Sequence, residues 1–384
     1  MSIELKIGIV LNYKIAEKKK DELLEINSFE WLQLGNNPKY NNLTILRKGV
    51  RCVPADVAIG IYLENVQGIT VDYITPSEIS VSRFKQNDIV FIIIYDLLES
   101  FHLSNKSNFY KFKKTLIKSK NVYPPYEYQK FINNKCTYYK YLSDKNIPVA
   151  PTHCITKQKW YTRESDSYVN KLIKKVRDNK WDSIIAKPVY GQESKDFSKF
   201  MSKRECLPDN CSKPVCKSSL NCQTGKLKKY LSKNIPKYKS IIIQEYIPGF
   251  DHENPEFRTY FIDGIYAYTI VTTKTIVEKP YQEGGNYRIP SENWKYLMKF
   301  SQNVMDSLPK LDLPGLHKNP ILTRIDVGTG LHDVPKGYFV NEVEFVPSLY
   351  IEDQDFPVVE QIAKSVIPVA IEYHFHKKPI KVKF

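Results

Sequence analysis

Apolar residues follow two spacings along this chain, and together they predict a mixture of strands and helices. Unbroken apolar runs such as KIGIVL and DIVFIIIY are typical of strands in a sheet that is covered on both faces. Apolar residues three or four positions apart indicate helices instead. The sequence predicts strands over 6–11, 68–74, 88–95, 183–188, 240–247, 321–327 and 338–346, and a hairpin over 256–268 that turns at Asp263-Gly264. It predicts helices over 21–34, 107–120, 126–146, 168–179, 291–308 and 356–373.

The order of these elements indicates more than one domain. The first hundred or so residues run strand, helix, strand and strand, which is typical of a small α/β domain. They contain no G-x-G-x-x-G motif, so an obvious dinucleotide-binding fold is excluded. Residues 194–236 differ from the rest, because Lys and Ser are frequent there and apolar periodicity is weak. We therefore expect an insertion or a mobile loop in that segment.

Length and charge narrow the class of protein. The 384 residues suffice for two or three domains with hydrophobic cores. A formal net charge of +15 indicates either a polyanionic partner or a lysine excess that comes from biased codon usage. Glu4 and Lys6 do not fit a signal peptide, and the longest apolar run, 89–95, is too short to span a membrane. We therefore expect a cytoplasmic protein without a membrane partner.

The cysteines predict free thiols. Their number is seven, and an odd number fits reduced cysteines better than a disulfide framework. Four of them lie in the segment 194–236, and their spacing is poor for zinc, which usually takes two close cysteines, a long gap and a second close pair. Reduced cysteines in an insertion are the favoured interpretation, and the role of these four stays open: Cys206, Cys211, Cys216 and Cys222.

One lysine stands out at the end of an apolar run. The stretch SIIAKPVYG, residues 183–191, leads from buried positions directly into Lys187 and Pro188. A lysine at the inner end of such a strand is costly unless an anion meets it, and a nucleotide phosphate would serve. The alternative is a strand that ends at the surface with Lys187 in water. The neighbouring segments favour the anion.

Those segments, in order over residues 122–355, resemble the ATP-grasp superfamily. They read NNKCTYYKYLSDKNIPVAPT, SIIAKP, GQESKDF, QEYIPG, EFRTYFIDG, RIDVG and FVNEVEFVPSL. The resemblance implies an α/β (α+β) fold in which two α/β subdomains grip ATP and a small α/β domain precedes them. The implied boundaries are 1–121 for the N-terminal domain, 122–247 for the central subdomain with its insertion 194–236, and 248–384 for the C-terminal catalytic subdomain.

The resemblance also implies which residues bind the nucleotide. Lys135 and Lys187 match the two nucleotide lysines, and Gly191 opens the loop that covers the phosphates. Arg258 takes the place of a phosphate-facing arginine, unless it pairs with a structural carboxylate. ATP carries several negative charges, so two lysines and an arginine are expected at it. The hinge residues that would line the adenine, largely through backbone groups, are Gln244, Glu245, Tyr246 and Ile247.

Three carboxylates match the family's Mg²⁺ ligands, namely Asp326, Glu342 and Glu344. Mg²⁺ prefers hard oxygen ligands, which carboxylates provide. Glu342 and Glu344 are two positions apart, so on a strand they point to one face, next to Asp326 across a hairpin. The alternative is that both glutamates lie on the exposed face of an edge strand.

The match leaves some positions open. The family usually has Asn where Glu344 stands, and a glutamate adds a negative charge there. Arg324 lies two residues before the first metal ligand, and it either contacts substrate or neutralises the acidic residues. The acid that binds the ribose is ambiguous among Asp251, Glu253 and Glu256, and Asp251 is the favoured candidate.

The activity that the resemblance implies is that of an ATP- and Mg²⁺-dependent ligase. Such an enzyme activates a carboxylate as an acylphosphate for attack by an amine, and Arg258 and Arg324 would be its catalytic residues. An alternative is a kinase of the same fold that phosphorylates a polyol or an inositol phosphate, which the net charge favours. A third is a non-catalytic nucleotide-binding protein. The substrate would be a small molecule or a peptide, polyanionic if the charge reflects it, and nucleic acid is not expected.

Overall fold

The computed structural model describes residues 4–11, 22–34, 37–161, 165–190, 196–201, 219–238, 240–249, 254–273, 277–280, 291–313, 316–350 and 357–384. Within these ranges no helix is long and apolar enough to cross a membrane. The helices are α1 (Ala55–Glu64), α2 (Val81–Lys85), α3 (Leu97–Ser104), α4 (Lys106–Ser119), α5 (Tyr126–Ile132), α6 (Lys135–Asp144), α7 (Lys157–Tyr161), α8 (Ser165–Asp178), α9 (Ser219–Tyr238), α10 (Ser291–Ser307) and α11 (Val358–His376).

The described strands form five sheets. In chain order they are β1 (Leu5–Val10), β2 (Leu23–Glu25), β3 (Ile45–Arg47), β4 (Val50–Pro54), β5 (Ile69–Ile74), β6 (Ile89–Phe91), β7 (Val122–Tyr123), β8 (Thr152–Thr156), β9 (Ser183–Pro188), β10 (Ser198–Met201), β11 (Ser240–Glu245), β12 (Glu256–Ile262), β13 (Ile265–Thr272), β14 (Val277–Pro280), β15 (Lys310–Leu313), β16 (Leu316–Lys318), β17 (Leu322–Gly328), β18 (Phe339–Glu344) and β19 (Lys381–Lys383). Parallel and antiparallel sheets occur together with helices, so the predicted α/β (α+β) class is confirmed.

The chain forms two compact units. The first contains Met1–Ile132, Pro255–Val327 and Glu342–Phe384, and the second contains Asn133–Asn254 and Gly328–Asn341. The chain therefore leaves the first unit at residue 132 and returns to it after residue 254. The division into domains at 121 and 247 stays a prediction.

A parallel sheet lies in the first unit, with the strand order β5-β1-β6-β7. Its strands β1 and β6 come from the apolar runs KIGIVL and DIVFIIIY, and Ile7 pairs with Val71 on one side and Ile89 on the other. Helix α11 packs against α1 and β1, which accounts for burial of these strands. The continuous apolar pattern was therefore a correct signal for a covered parallel sheet.

Another sheet has five strands in the order β14-β13-β12-β17-β18. The predicted hairpin between β12 and β13 is confirmed, because Asp263 and Gly264 form its turn with φ angles of 52° and 80°. Two positive φ angles are what a tight two-residue hairpin turn requires. A Cβ at Gly264 would lie 1.9 Å from Nδ2 of Asn319, so only glycine fits.

The second unit is built on the antiparallel sheet β10-β9-β11-β8. Helix α9 packs on β10 and β11 and also on α8, while α6 contacts β8. The strand predicted from SIIAKP is confirmed as β9, and QEYIPG begins at the end of β11. These two strands are hydrogen-bonded neighbours, with Ile242 opposite Lys187.

The helix predicted over 21–34 is wrong for the described residues 22–34. They form strand β2 and a short 3₁₀ turn, Glu30–Leu32. Leu23 and Leu24 are opposite Pro54 and Val53 in β4, so pairing between distant strands outweighed the local helical spacing.

The single helix predicted over 126–146 is divided into α5 and α6. Asn134 lies at the division, where its side chain accepts a hydrogen bond from the backbone nitrogen of Thr137 at 3.2 Å. Asn is a preferred N-cap residue because its side chain replaces a missing helical acceptor. It therefore starts a new helix directly before Lys135.

An insertion or a mobile loop was predicted over 194–236, and the loop is wrong for residues 198–201, which form β10, and for residues 219–236, which belong to helix α9. Leu227, Leu231 and Ile235 are fully buried and lie four positions apart, which is helical spacing. That signal was present in the sequence, but the frequent lysines obscured it. Helix α11 continues past the predicted end at residue 373 and includes His374, Phe375 and His376 in its last turn.

Candidate active site

The three predicted metal ligands come together in the first unit. Asp326 lies on β17, and Glu342 and Glu344 lie on the neighbouring strand β18. One carboxylate oxygen from each residue lies within 4.8 Å of the others. Asp326 is buried, whereas both glutamates are partly exposed. Such a cluster of oxygen ligands is able to hold a divalent cation.

Arg324 is the counterion of this cluster. Its Nε and Nη2 donate hydrogen bonds to the two carboxylate oxygens of Asp326 at 2.6 and 2.8 Å, and Nη2 also donates to Glu344 at 2.8 Å. Burial alone would lower the pKa of Arg324, but the two carboxylates raise it well above its ordinary value. The guanidinium is therefore charged, and it neutralises part of the acidic cluster. Contact with a substrate stays a prediction for this residue.

Arg258 lies beside the cluster on β12, directly opposite Asp326. Its Nε donates to Glu256 at 3.1 Å and its Nη1 donates to the hydroxyl of Tyr350. Burial would lower the pKa of Arg258, and the charges of Asp326 and Glu256 raise it instead. The arginine thus does pair with a carboxylate, which was the alternative for this position, and its role at phosphate stays a prediction.

Alternation along the strands explains why these residues share one face. Arg324 and Asp326 are two apart on β17, and their partners Tyr260 and Arg258 are two apart on β12. Side chains two apart on a strand point to the same side of the sheet. Ile325, the one residue between them on β17, points the other way and is fully buried. A polar face and an apolar face result.

The two predicted nucleotide lysines belong to the second unit. Lys135 is buried at the start of α6, and Lys187 is half-buried on β9. The Nζ of Lys187 lies 3.4 Å from the hydroxyl of Tyr139, to which it donates a hydrogen bond. Among the residues that the structure describes, no carboxylate forms an ion pair with Lys187. A half-buried ammonium of this kind is suited to an incoming anion.

A disulfide bond fastens the lysine-bearing helix to the sheet. Cys136, in the first turn of α6, is bonded to Cys154 on β8, with 6.1 Å between their Cα atoms. The expectation of reduced cysteines is therefore wrong for this pair. The error arose because the count of cysteines says nothing about which two approach each other in the fold. Cys52 is buried and is not part of a disulfide bond, and its thiol donates a hydrogen bond to the backbone oxygen of Val50 at 3.8 Å.

Of the four hinge residues, Gln244 and Glu245 end β11, and Tyr246 and Ile247 follow it. The side chain of Gln244 is buried and donates to the hydroxyl of Thr152 at 3.0 Å. Burial raises the pKa of Glu245. The Nζ of Lys199 lies 3.5 Å from the ring centre of Tyr246, and Ile247 packs in a small apolar cluster with Ala150. Their assignment to adenine stays a prediction.

Some predicted residues lie outside the described ranges. These include Gly191 of the covering loop and two candidates for the ribose-binding acid, Asp251 and Glu253. The third candidate, Glu256, is buried, and its carboxylate accepts hydrogen bonds from Arg258 and Thr272. The side chains of the four cysteines in the segment 194–236 are likewise outside the described part: Cys206, Cys211, Cys216 and Cys222.

Sequence reasoning missed two tyrosines that touch predicted site residues. Tyr139 accepts a hydrogen bond from Lys187, and Tyr350 accepts one from Arg258. A signal existed for Tyr139, because it lies four residues after Lys135 and so on the same face of α6. None existed for Tyr350, which is 92 residues away from Arg258 along the chain.

Comparison with solved structures shows the fold: the chain has the ATP-grasp fold, as the motifs predicted. It is similar to D-cycloserine synthetase DcsG, with a TM-score of 0.59 and 15% identity over 95% of this chain and 99% of that chain. It is similar to the D-alanine–D-alanine ligase from Bacillus anthracis complexed with ATP, with a TM-score of 0.55 and 12% identity over 97% and 98%. It is also similar to D-alanyl-alanine synthetase A from Vibrio cholerae, with a TM-score of 0.56 and 11% identity over 97% of this chain and 99% of that chain. No family model matches the chain, and neither does any curated protein.

Proposed function

We propose that this chain is an ATP- and Mg²⁺-dependent ligase that activates a carboxylate as an acylphosphate for attack by an amine. The observation that carries the proposal is the cluster of Asp326, Glu342 and Glu344 on an ATP-grasp fold. The similar structures named above are ligases or synthetases, which agrees with the proposal.

The donor set fits Mg²⁺. Three carboxylates offer hard oxygen ligands, and each has lone pairs in addition to those that accept hydrogen bonds. Arg324 offsets one of the three negative charges, so the two that remain match a divalent cation. Glu344 keeps a ligand role in this proposal, although the family usually has Asn there. Magnesium, when bound, would neutralise charge on the phosphoryl group that is transferred.

The nucleotide is assigned to the residues that the motifs indicated. Lys135, Lys187 and Arg258 would bind the phosphates by charge-assisted hydrogen bonds. The hinge residues would hold the adenine largely by backbone groups, and Gly191 would begin the loop that excludes water. The acid for the ribose would be Asp251.

The reaction follows from positioning and charge neutralisation. A carboxylate oxygen of the substrate attacks the γ-phosphorus of ATP, and the bond to the β–γ bridging oxygen breaks, so ADP leaves with the electron pair. An amine then attacks the acyl carbon, phosphate leaves, and the nitrogen loses a proton. Phosphoryl transfer needs little covalent help from the protein, so residues that hold charge in place suffice.

A product screen tests this function and separates it from the alternatives. The chain is incubated with ATP, Mg²⁺ and panels of amino acids, peptides, polyols and inositol phosphates, and ADP and free phosphate are both measured. A ligase releases the two in equal amounts, and Glu342→Gln releases neither. ADP without free phosphate would indicate the kinase, which the net charge of +15 favours. If ATP with Mg²⁺ neither binds nor raises the melting temperature, the chain is not an enzyme of this class.

A further inference from the structure

The nucleotide lysine on β9 rests against a tyrosine that the motifs do not include. The Nζ of Lys187 lies 3.4 Å from Oη of Tyr139 and 5.8 Å from the centre of its ring. Tyr139 itself is 2% exposed, so its position is fixed by packing. We propose that Tyr139 is a positioning residue that orients the ammonium of Lys187 for the nucleotide; this inference rests on the proposed function.

The direction of the hydrogen bonds supports this role. Oη of Tyr139 donates its proton to the backbone oxygen of Asn341. A phenol has one proton to donate, so its remaining lone pairs are left to accept. The ammonium of Lys187 has three protons, and the hydrogen bond to Tyr139 uses one of them. Two protons then remain for phosphate oxygens.

The helix that carries Tyr139 is held over the same face of the sheet. Cys154, Ile242 and Lys187 lie in one row across β8, β11 and β9. Residues in register on neighbouring strands point to the same side of a sheet. The disulfide from Cys136 to Cys154 therefore attaches α6 at one end of this row, and Tyr139 meets Lys187 at the other.

A residue that holds the side chain in place helps a lysine to bind phosphate more than it helps an arginine. The ammonium sits on a flexible stem of four carbons, and holding it in one conformation costs rotamer entropy. A partner that restricts the stem before the nucleotide arrives removes part of that cost from binding.

A double-mutant cycle tests the inference, with the dissociation constant of ATP measured by calorimetry in the presence of Mg²⁺. Lys187→Met is expected to weaken binding about a hundredfold and Tyr139→Phe about tenfold, the usual effect of losing a hydrogen bond to a charged group. In the Lys187→Met background, Tyr139→Phe should change affinity by less than about twofold, because the hydroxyl acts through the lysine. An equal tenfold loss in both backgrounds overturns the inference.

Tyr138→Phe is the matched control, because Tyr138 is the adjacent, fully buried tyrosine of the same helix and its ring contacts that of Tyr139. The affinity of Tyr138→Phe for ATP should stay within about twofold of the affinity of the unmutated chain. An equal loss in Tyr138→Phe and Tyr139→Phe would assign the effect to helix packing and overturn the inference. If Lys187→Met binds ATP normally, the proposed role of Lys187 at the nucleotide fails. If Lys187→Met binds weakly but Tyr139→Phe gives the same loss in both backgrounds, only the role of Tyr139 fails, so the two failures are distinguishable.

A measurement on the unmutated chain covers the case in which Tyr139→Phe does not fold. Lysines labelled with ¹³C at Cε are observed by NMR, and the Lys187 signal is assigned by its loss in Lys187→Met. A positioned side chain gives two distinct methylene proton shifts before ATP is added. A single averaged shift, as for a freely rotating lysine, overturns the inference.

Discussion

Arg324 donates two parallel hydrogen bonds to Asp326, from Nε at 2.6 Å and from Nη2 at 2.8 Å, although the two residues lie on one strand and only one residue separates them. The pair is buried, with side-chain exposures of 7% and 4%. A buried carboxylate next to two further acids needs such a counterion, since an uncompensated buried charge is strongly destabilising. The candidate metal site therefore carries its own cation in the absence of Mg²⁺.

Replacement of Arg324 by methionine should destabilise the fold and make it dependent on Mg²⁺. The change leaves Asp326 without its counterion, which costs about 3–5 kcal/mol in unfolding free energy. Mg²⁺ should restore more stability in Arg324→Met than in the unmutated chain, because it supplies the missing positive charge. Urea unfolding with and without Mg²⁺ measures this. Arg83→Met removes a more exposed ion pair and is the control; equal Mg²⁺ effects in all three proteins would refute the prediction.

Removal of either lysine that is assigned to the nucleotide should weaken ATP binding strongly, whatever the substrate is. Lys135→Ala and Lys187→Ala each remove a positive charge from the proposed phosphate site, and we expect at least about a hundredfold loss in affinity. Lys180→Ala removes an exposed lysine of the same unit and should bind ATP normally. Titration calorimetry gives the three constants. Undiminished affinity in Lys187→Ala would contradict the assignment of SIIAKP.

Reduction of the disulfide between Cys136 and Cys154 should lower the stability of the chain. The bond joins residues 18 positions apart, and a loop of about this length is associated with about 3 kcal/mol. The melting temperature should therefore fall when dithiothreitol is added. The double variant Cys136→Ser, Cys154→Ser should melt at the lower temperature with or without the reductant. A reductant effect of full size in that variant would trace the change to other cysteines.

The pH dependence of stability should contain a contribution from His153. Burial first, and then the charges of Lys175 and Lys159, lower the pKa of His153 below its ordinary value of about 6.5. The unfolded chain then binds a proton that the folded chain does not, so this contribution is present above pH 6.5 and is lost as the pH falls through the lowered pKa. His153→Gln should reduce the change in melting temperature between pH 7.5 and pH 5. His376→Gln, at the exposed end of α11, is the control, and identical slopes in both variants would disprove the assignment.

Helix α9 should contribute to the core of the second unit, although its sequence resembles a polar insertion. Leu231 is fully buried, so Leu231→Ala should destabilise the chain by about 2–5 kcal/mol. Ser232→Ala, at the next and exposed position, should change stability by less than about 0.5 kcal/mol. Chemical denaturation of both variants provides the comparison. Equal, small effects would mean that the helix does not pack as described.

The sequence predicted most of the elements near the candidate site. SIIAKP became β9, EFRTYFIDG became a hairpin, and RIDVG and FVNEVEFVPSL became the neighbouring strands β17 and β18. The predictions for these segments are correct because apolar runs and turn residues favour strands and turns through local interactions. The segment 22–34 failed because its partner, β4, is set by a contact between distant residues. Local spacing cannot report such a contact.

By itself the sequence determined the α/β class, the ATP-grasp resemblance and the residue types of the candidate site, because periodicity, turn residues and motif order are local properties of the chain. Only the tertiary structure decided the partners. It assigned Arg324 to Asp326 and Glu344, Tyr139 to Lys187, and Cys136 to Cys154. The physical reason is that burial and register set which charges, hydroxyls and thiols meet, and both depend on how distant strands pair.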